Sequence, residues 1–138
     1  MTQDEEHLRL LSIFHYVVGG LAALFALMPI VHVIFGLVFI LAPEKFADKG
    51  QPPPAFMGWI FLIMGAFFIM LGWVFATFVI MTGRFLARRR HYTFCIVMAA
   101  IECLFMPFGT VLAVFTLIVL LRGPVKQLFV ANKAILAK

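Results

Sequence analysis

The sequence has little charge. Asp, Glu, Lys and Arg together make up 12% of its 138 residues, whereas hydrophobic residues make up 64%. Soluble domains are about 25% charged and about 45–50% apolar, so a water-soluble fold of this length could not cover so much apolar surface. The composition therefore predicts an integral membrane protein with a single domain.

Motifs that mark common catalytic and cofactor sites are also missing. The chain contains no GxSxG, HExxH, P-loop, CxxCH or dinucleotide-binding pattern. Its two cysteines, Cys95 and Cys103, lie in one apolar run, and on a helix they would be about 12 Å apart along the axis, too far for a disulfide. We predict a protein that is not an enzyme and that holds no cofactor and no metal.

The basic residues are few but clustered. On a soluble protein the net charge of +5 would be compatible with a nucleic-acid partner. Here the basic residues stand at the ends of apolar runs, which is typical of membrane topology signals. We therefore predict the lipid bilayer as a partner and no nucleic acid. The candidate topology and lipid-binding residues are Arg84, Arg88, Arg89, Arg90, Arg122 and Lys126.

Three long apolar runs follow an acidic head that lacks the positive region of a secretory signal, so no cleavage is expected. The first run, 10–42, is predicted as one helix kinked at Pro29, because proline cannot donate to the carbonyl of Phe25; two short helices are the alternative. A proline-rich loop at 43–54 separates it from the second run, 55–82. The third run, 93–121, is interrupted by MPFGT at 106–110.

The interruption at 106–110 allows either one kinked span or a tight hairpin, and charge favours the hairpin. One span would put Arg88–Arg90 and the basic tail on opposite sides, whereas a hairpin makes both cytoplasmic and leaves Lys45 and Lys49 outside. We predict an all-α membrane four-helix bundle with spans at about 12–41, 56–82, 90–106 and 109–122. Residues 124–138 would form a short amphipathic interfacial helix.

Glycines recur every seven residues in the second span, at Gly58, Gly65 and Gly72. Small residues on one face allow another membrane helix to approach closely. The pattern predicts helix packing at this face. The partner could be a second copy of the chain or another helix of the same chain.

Glu102 lies within the third run and is the most informative polar residue. A carboxyl group in hydrocarbon is costly and faces a partner or water, and desolvation favours its neutral form. His32 and Glu102 are predicted to lie at similar depths in the membrane, which suggests a Glu102–His32 pair able to relay a proton. Alternatively, Glu102 caps the carbonyl of Cys103 that Pro107 leaves free. His15 is a further intramembrane candidate, and His15 and His32 could also each contribute to a haem or metal site.

The chain resembles a group of small, uncharacterised bacterial four-span membrane proteins. The resemblance rests on EHLRLLSIFHY (6–16), PPPAFMGW (52–59), GRFLARRRHYTFC (83–95) and above all ECLFMPFGTVLAVFTLIVL (102–120). It implies four spans and a bacterial inner membrane, and it transfers no functional residue.

These features predict a non-enzymatic multi-span protein of the bacterial plasma membrane with both termini cytoplasmic. It would form a homo-oligomer or join a larger membrane complex as an accessory subunit. The alternatives are an oligomeric ion or proton channel or transporter using Glu102 and His32, and a haem- or metal-binding membrane protein.

Overall fold

The computed structural model of the protein describes residues 3–47, 51–104 and 108–137. These residues form helices and connecting turns, so the predicted all-α class is confirmed. The helices are α1 (Gln3–Phe25), α2 (Ile30–Leu41), α3 (Ala55–Arg88), α4 (Tyr92–Glu102), α5 (Phe108–Leu120) and α6 (Gly123–Leu136), with a 3₁₀ turn at Pro43–Phe46.

Pro29 interrupts the first apolar run as predicted. Because Pro29 has no N–H to donate to the Phe25 carbonyl, the Met28 N–H donates to that carbonyl instead, at 3.0 Å. Backbone hydrogen bonds between residues three apart also occur on both sides of the proline. The Leu27 N–H donates to the Leu24 carbonyl at 3.1 Å, and the His32 N–H donates to the Pro29 carbonyl at 2.9 Å. The break therefore keeps its backbone groups bonded, and α1 and α2 together form one candidate membrane span, Gln3–Leu41.

The chain divides into two compact units, of which the second comprises Ala22–Phe75. Within it, the predicted glycine face of α3 packs against the first apolar run. A Cβ atom on Gly58 would lie 3.0 Å from the Gly36 carbonyl oxygen, and one on Gly65 would lie 3.0 Å from the Val33 nitrogen. A Cβ atom on Gly72 would meet the Ala26 Cβ atom at 2.6 Å. Of the two predicted partners for these glycines, the structure shows the one within the chain.

The first unit comprises residues 1–21 and 76–138. Its core is an apolar cluster to which each helix in this unit contributes: Leu8, Leu11, Leu86, Cys95, Leu112, Val119, Leu120, Val125 and Phe129. Close van der Waals packing of these side chains holds the short helices α4, α5 and α6 in place.

Two hydrogen bonds show that α4 and α5 run antiparallel, as the predicted hairpin requires. Tyr92, at the start of α4, donates its hydroxyl to the carbonyl of Leu120, at the end of α5, at 2.8 Å. At the other end, the Thr110 hydroxyl donates to the Cys103 carbonyl at 2.9 Å. Met106 and Pro107, at the predicted corner, lie outside the described residues.

The tail forms a helix, α6, with Pro124 in its first turn as predicted. α6 is bent by 76° from α5. Val125 and Phe129 are buried in the core cluster, whereas the apolar side chains of Ile135 and Leu136, near the end of the helix, are exposed.

In the part of the chain that the structure describes, two helices are long and apolar enough to cross a membrane: Gln3–Leu41 and Ala55–Arg88. A third is obtained only if α5 and α6 are counted as one bent span. By their rise, α4 and α5 are about 17 and 20 Å long, short of the roughly 30 Å hydrocarbon core.

Candidate functional site

The centre of the first unit contains a buried pair of ionisable side chains, His15 from α1 and Glu102 from α4. The His15 Nε2 atom lies 3.3 Å from the Glu102 Oε2 atom, and the two side chains are 0% and 1% exposed. The two groups form the candidate functional site, since ionisable side chains in an apolar interior are costly unless they serve a role.

Small and polar groups around His15 explain how the histidine fits. Gly83 of α3 faces it, and a Cβ atom there would lie 3.0 Å from the His15 Cβ atom. Three residues before His15 on α1, the Ser12 hydroxyl donates to the Gly83 carbonyl at 2.7 Å. The glycine thus allows α1 and α3 to approach closely enough for the imidazole to reach past α3 towards α4.

The hydrogen bond on the other side of the ring fixes the tautomer of His15. Its Nδ1 atom lies 2.8 Å from the carbonyl oxygen of Leu11. Because a carbonyl only accepts, Nδ1 carries a hydrogen. In the neutral imidazole, Nε2 then has a lone pair that faces the Glu102 carboxyl group.

The two groups together accommodate one shared proton, which can lie on the carboxyl group or on the imidazole. A neutral histidine beside a protonated carboxyl group, or an imidazolium beside a carboxylate, places one hydrogen between Nε2 and Oε2. Removal of that hydrogen would set two acceptors against each other in an apolar interior. With one hydrogen shared in this way, the two groups together carry no net charge in either form.

The hydrogen-bonding capacity of the pair is not filled. Although Nε2 and Oε2 are within ion-pair distance, they are not aligned as a hydrogen bond. Among the described residues, His15 Nε2 and both carboxyl oxygens of Glu102 are buried without a hydrogen-bond partner. Buried polar atoms of this kind are uncommon and require an explanation.

Glu102 does not have the capping role that the sequence offered as an alternative. The Cys103 carbonyl, expected to accept from a protonated Glu102, accepts instead from the Thr110 hydroxyl. The Thr110 side chain therefore closes the hairpin. This leaves the carboxyl group of Glu102 directed at His15.

The structure also gives Glu102 a different histidine from the one that the sequence suggested. His32 belongs to the second unit, where it is exposed and its ring stacks on Phe61 at 6.0 Å. A pair with His32 requires the helix that carries Glu102 to span the membrane, but α4 rises only about 15 Å from Tyr92 to Glu102. The carboxyl group is therefore near the level of His15, which lies opposite Gly83.

The basic segment that follows α3 is bound to both terminal segments. Arg89 pairs with Glu5 of α1 at 2.7 Å, and Arg122 approaches Asp4 at 3.8 Å. The Asn132 side chain of α6 donates to the backbone carbonyls of Arg88, at 2.8 Å, and Arg89, at 3.2 Å. The two basic stretches and both terminal helices thus meet at one end of the first unit.

The turn between α3 and α4 has an unusual backbone. The N–H of Arg90 donates to the carbonyl of Phe85 at 2.9 Å, which closes α3 in the manner of a Schellman motif. Arg89 and His91 both adopt left-handed backbone angles, with φ of 52° and 51°. Each costs a non-glycine residue about 1–2 kcal/mol.

A cavity of about 550 Å³ lies between this turn and α6. Its lining residues are Arg89, Arg90, His91, Tyr92, Thr93, Phe94, Lys126, Phe129, Val130, Lys133 and Leu136. Of the predicted topology and lipid-binding residues, Arg89, Arg90 and Lys126 line the cavity, whereas Arg122 faces Asp4. Arg84 and Arg88 have exposed side chains.

Several residues of these sites were not anticipated from the sequence. In the sequence, Asn132 and Lys133 stand out only as part of the polar face of α6. The pairing of Asp4 and Glu5 with arginines could not be predicted, because it depends on which helix ends meet in the fold. Gly83 and Gly36 do not belong to the seven-residue glycine repeat. A search for single glycines opposite buried polar residues could have singled out Gly83.

Among residues 3–47, 51–104 and 108–137, no group of three or more His, Cys, Asp or Glu side chains could hold a metal ion. No protein-family model, no curated protein and no solved structure matches the chain.

Proposed function

We propose that the protein is a non-enzymatic, multi-span protein of the bacterial inner membrane that works as a self-assembling or accessory subunit. In this proposal the helices form a four-helix membrane bundle, the membrane thins locally around the short hairpin α4–α5, and both termini are cytoplasmic. The large apolar side chains that α1, α2 and α3 expose support the membrane location, because only lipid or other helices would cover them.

The observation that carries the assembly proposal is the environment of Gly20 on α1. A Cβ atom on Gly20 would meet nothing within 4 Å, whereas one on the adjacent Gly19 would meet Ile80 at 2.6 Å. Val17 and Leu21, beside Gly20, are exposed. Packing within the chain therefore explains Gly19 but not Gly20, and a small residue on an exposed apolar face is what a helix of a second subunit needs for close approach.

The test compares bulky substitutions at the two neighbouring glycines. In Gly20→Leu, the fold should persist and self-assembly should weaken at least tenfold in dissociation constant. The association state would be measured by light scattering of the purified particle and by energy transfer between labelled copies in liposomes.

Gly19→Leu is the matched control, because it should destabilise the monomer by collision with Ile80. A monomer at all protein-to-lipid ratios, with no co-purified partner, would contradict the proposal. Unchanged association in Gly20→Leu would remove this face from it.

The buried His15–Glu102 pair favours a second candidate function, a proton-conducting or proton-coupled transport protein. Two groups that share one proton, and whose atoms retain unfilled hydrogen-bonding capacity, are the elements of a proton relay. In this candidate His15 replaces His32 as the partner of Glu102.

Proton flux into liposomes would test this candidate. The flux should be lost in Glu102→Gln, because an amide cannot exchange a proton in this way, and should persist in Cys103→Ser, a change on the same helix end. If the wild-type protein conducts no protons under a pH gradient or an applied potential, the candidate fails.

A further inference from the structure

We propose that the cavity between the α3–α4 turn and α6 binds the phosphate headgroup of an anionic phospholipid. This inference goes beyond the proposed function: it needs the membrane location but does not depend on self-assembly. The cavity volume of about 550 Å³ falls within the range of roughly 300–1,000 Å³ that is typical of small-ligand sites.

Charge is the first argument. Arg90, Lys126 and Lys133 line the cavity, and no acidic side chain does so among the residues that the structure describes. Arg89 is engaged by Glu5, whereas no ion pair between described residues involves the other three. Three cations that converge on one concave surface without counter-charge attract a phosphate group.

Backbone groups add to this field. Tyr92, Thr93 and Phe94 form the first turn of α4 and line the cavity. Their N–H groups precede the first intrahelical hydrogen bond, and His91 at the N-cap makes no side-chain cap. The positive end of the α4 dipole thus lies at the same wall as the cationic side chains.

The apolar part of the lining favours a lipid over a free phosphate ion. Phe94, Val130 and Leu136 line the same cavity as the cations, and Val130 and Leu136 are exposed at its rim. An amphiphile can place its phosphate on the cations and the start of its acyl chain on these side chains, whereas inorganic phosphate gains nothing from them.

Hydrogen bonds and an aromatic contact hold the two walls of the cavity at a fixed separation. Asn132 bonds to the backbone of Arg88 and Arg89 across the cavity edge, and the Tyr92 ring packs edge-on against Phe129 with centroids 5.4 Å apart. The site is thus preorganised by contacts that do not themselves use the cations.

The experiment measures lipid binding to the full-length purified protein by native mass spectrometry. Phosphatidylglycerol is compared with phosphatidylcholine that carries the same acyl chains. The wild type should retain phosphatidylglycerol selectively. In Lys126→Gln/Lys133→Gln the affinity should fall about thirty-fold, as expected for the loss of two cations beside an anionic headgroup.

The matched control is Arg9→Gln/Lys45→Gln, which removes the same charge from exposed positions outside the cavity. Its affinity should stay within about threefold of the wild type. Equal weakening in both variants, or equal binding of the two lipids, would overturn the proposal. Both pairs of side chains are exposed, so each variant should fold, and circular dichroism checks that it does.

A second arm separates a lipid from a soluble anion. Glycerol phosphate and inorganic phosphate should not displace phosphatidylglycerol at millimolar concentration, and Val130→Ser/Leu136→Ser should weaken lipid binding. Full displacement by the soluble phosphates would show a free-anion site instead. A particle that is monomeric but retains phosphatidylglycerol would refute self-assembly and leave this inference standing.

Discussion

The environment of His15 and Glu102 shows how single residues determine what this protein can do. Each group alone would be a buried polar side chain without a partner, which costs several kcal/mol. Together they are neutral when they share one proton, and the Leu11 carbonyl orients the imidazole for that purpose. The stability of the first unit should therefore depend on keeping both residues or neither.

A double-mutant cycle tests this dependence. His15→Leu or Glu102→Leu alone should lower the free energy of unfolding by about 3 kcal/mol, because each leaves the other buried group without its partner. The double variant should recover most of that loss, since two leucines fill the space with apolar atoms. Unfolding in mixed detergent micelles gives all four values.

The sign of the coupling is the decisive quantity in that cycle. If the two single losses add in the double variant, the groups do not interact, and the proton-sharing interpretation is wrong. His32→Leu is the control, because its exposed ring on Phe61 should contribute little to the stability of the first unit.

The residue types of the site could be predicted from the sequence, but their pairing could not. Glu102 and His15 stand out because ionisable residues are rare in apolar runs. The choice between His15 and His32 depended on depth along the membrane normal. That depth follows from the length of α4, which ends at Glu102, and no sequence pattern marks this end before the MPFGT segment.

At the scale of helices, glycines set the distance between packed elements. Gly36 of α2 lies directly against the backbone of α3: a Cβ atom there would lie 2.6 Å from the Leu62 nitrogen and 2.8 Å from the Gly58 carbonyl oxygen. These are backbone atoms, which cannot rotate away as a flexible side chain can. The second unit therefore requires glycine at this position.

Gly36→Ala should destabilise the protein by about 1–3 kcal/mol, the usual cost of overpacking a tight contact. Gly20→Ala is the matched helical control and should be neutral or slightly stabilising, because alanine is the better helix former and nothing lies within 4 Å. Thermal unfolding in detergent compares them. Equal stability of the two variants would show that α2 and α3 are not in contact at Gly36.

Helix positions were predictable where local signals are strong. Pro29, Pro124 and the MPFGT segment marked the first break, the start of the tail helix and the corner of the hairpin, and the structure has a helix break at Pro29, a helix that begins at Gly123 and antiparallel helices α4 and α5. The site of α6 packing was not predictable, because it depends on Asn132 bonding to carbonyls of a turn more than forty residues away in the sequence. Contacts of this range leave no periodic trace.

For the whole molecule, the proposed membrane topology requires an even number of crossings. In that proposal the candidate spans Gln3–Leu41 and Ala55–Arg88 would take the chain across the membrane and back, and the hairpin α4–α5 would return it to the side from which it started. Both a full pair of spans and a re-entrant hairpin keep the termini on one side. Only the position of the hairpin corner distinguishes them.

The proposed four-span arrangement predicts that this corner is reached from the side of Lys45. Leu104 is 80% exposed near the corner, so a Leu104→Cys label in a chain with Cys95→Ser and Cys103→Ser reports on it. A membrane-impermeant thiol reagent added outside spheroplasts should label Leu104→Cys as it labels Lys45→Cys, and should not label Lys133→Cys. Because α4 and α5 are short, labelling requires the bilayer to thin by about 10 Å around the hairpin. Protection of Leu104→Cys from both sides would instead place the corner within the membrane, with Glu102 near the tip of a re-entrant hairpin. Labelling of Lys133→Cys from outside would refute the even number of crossings.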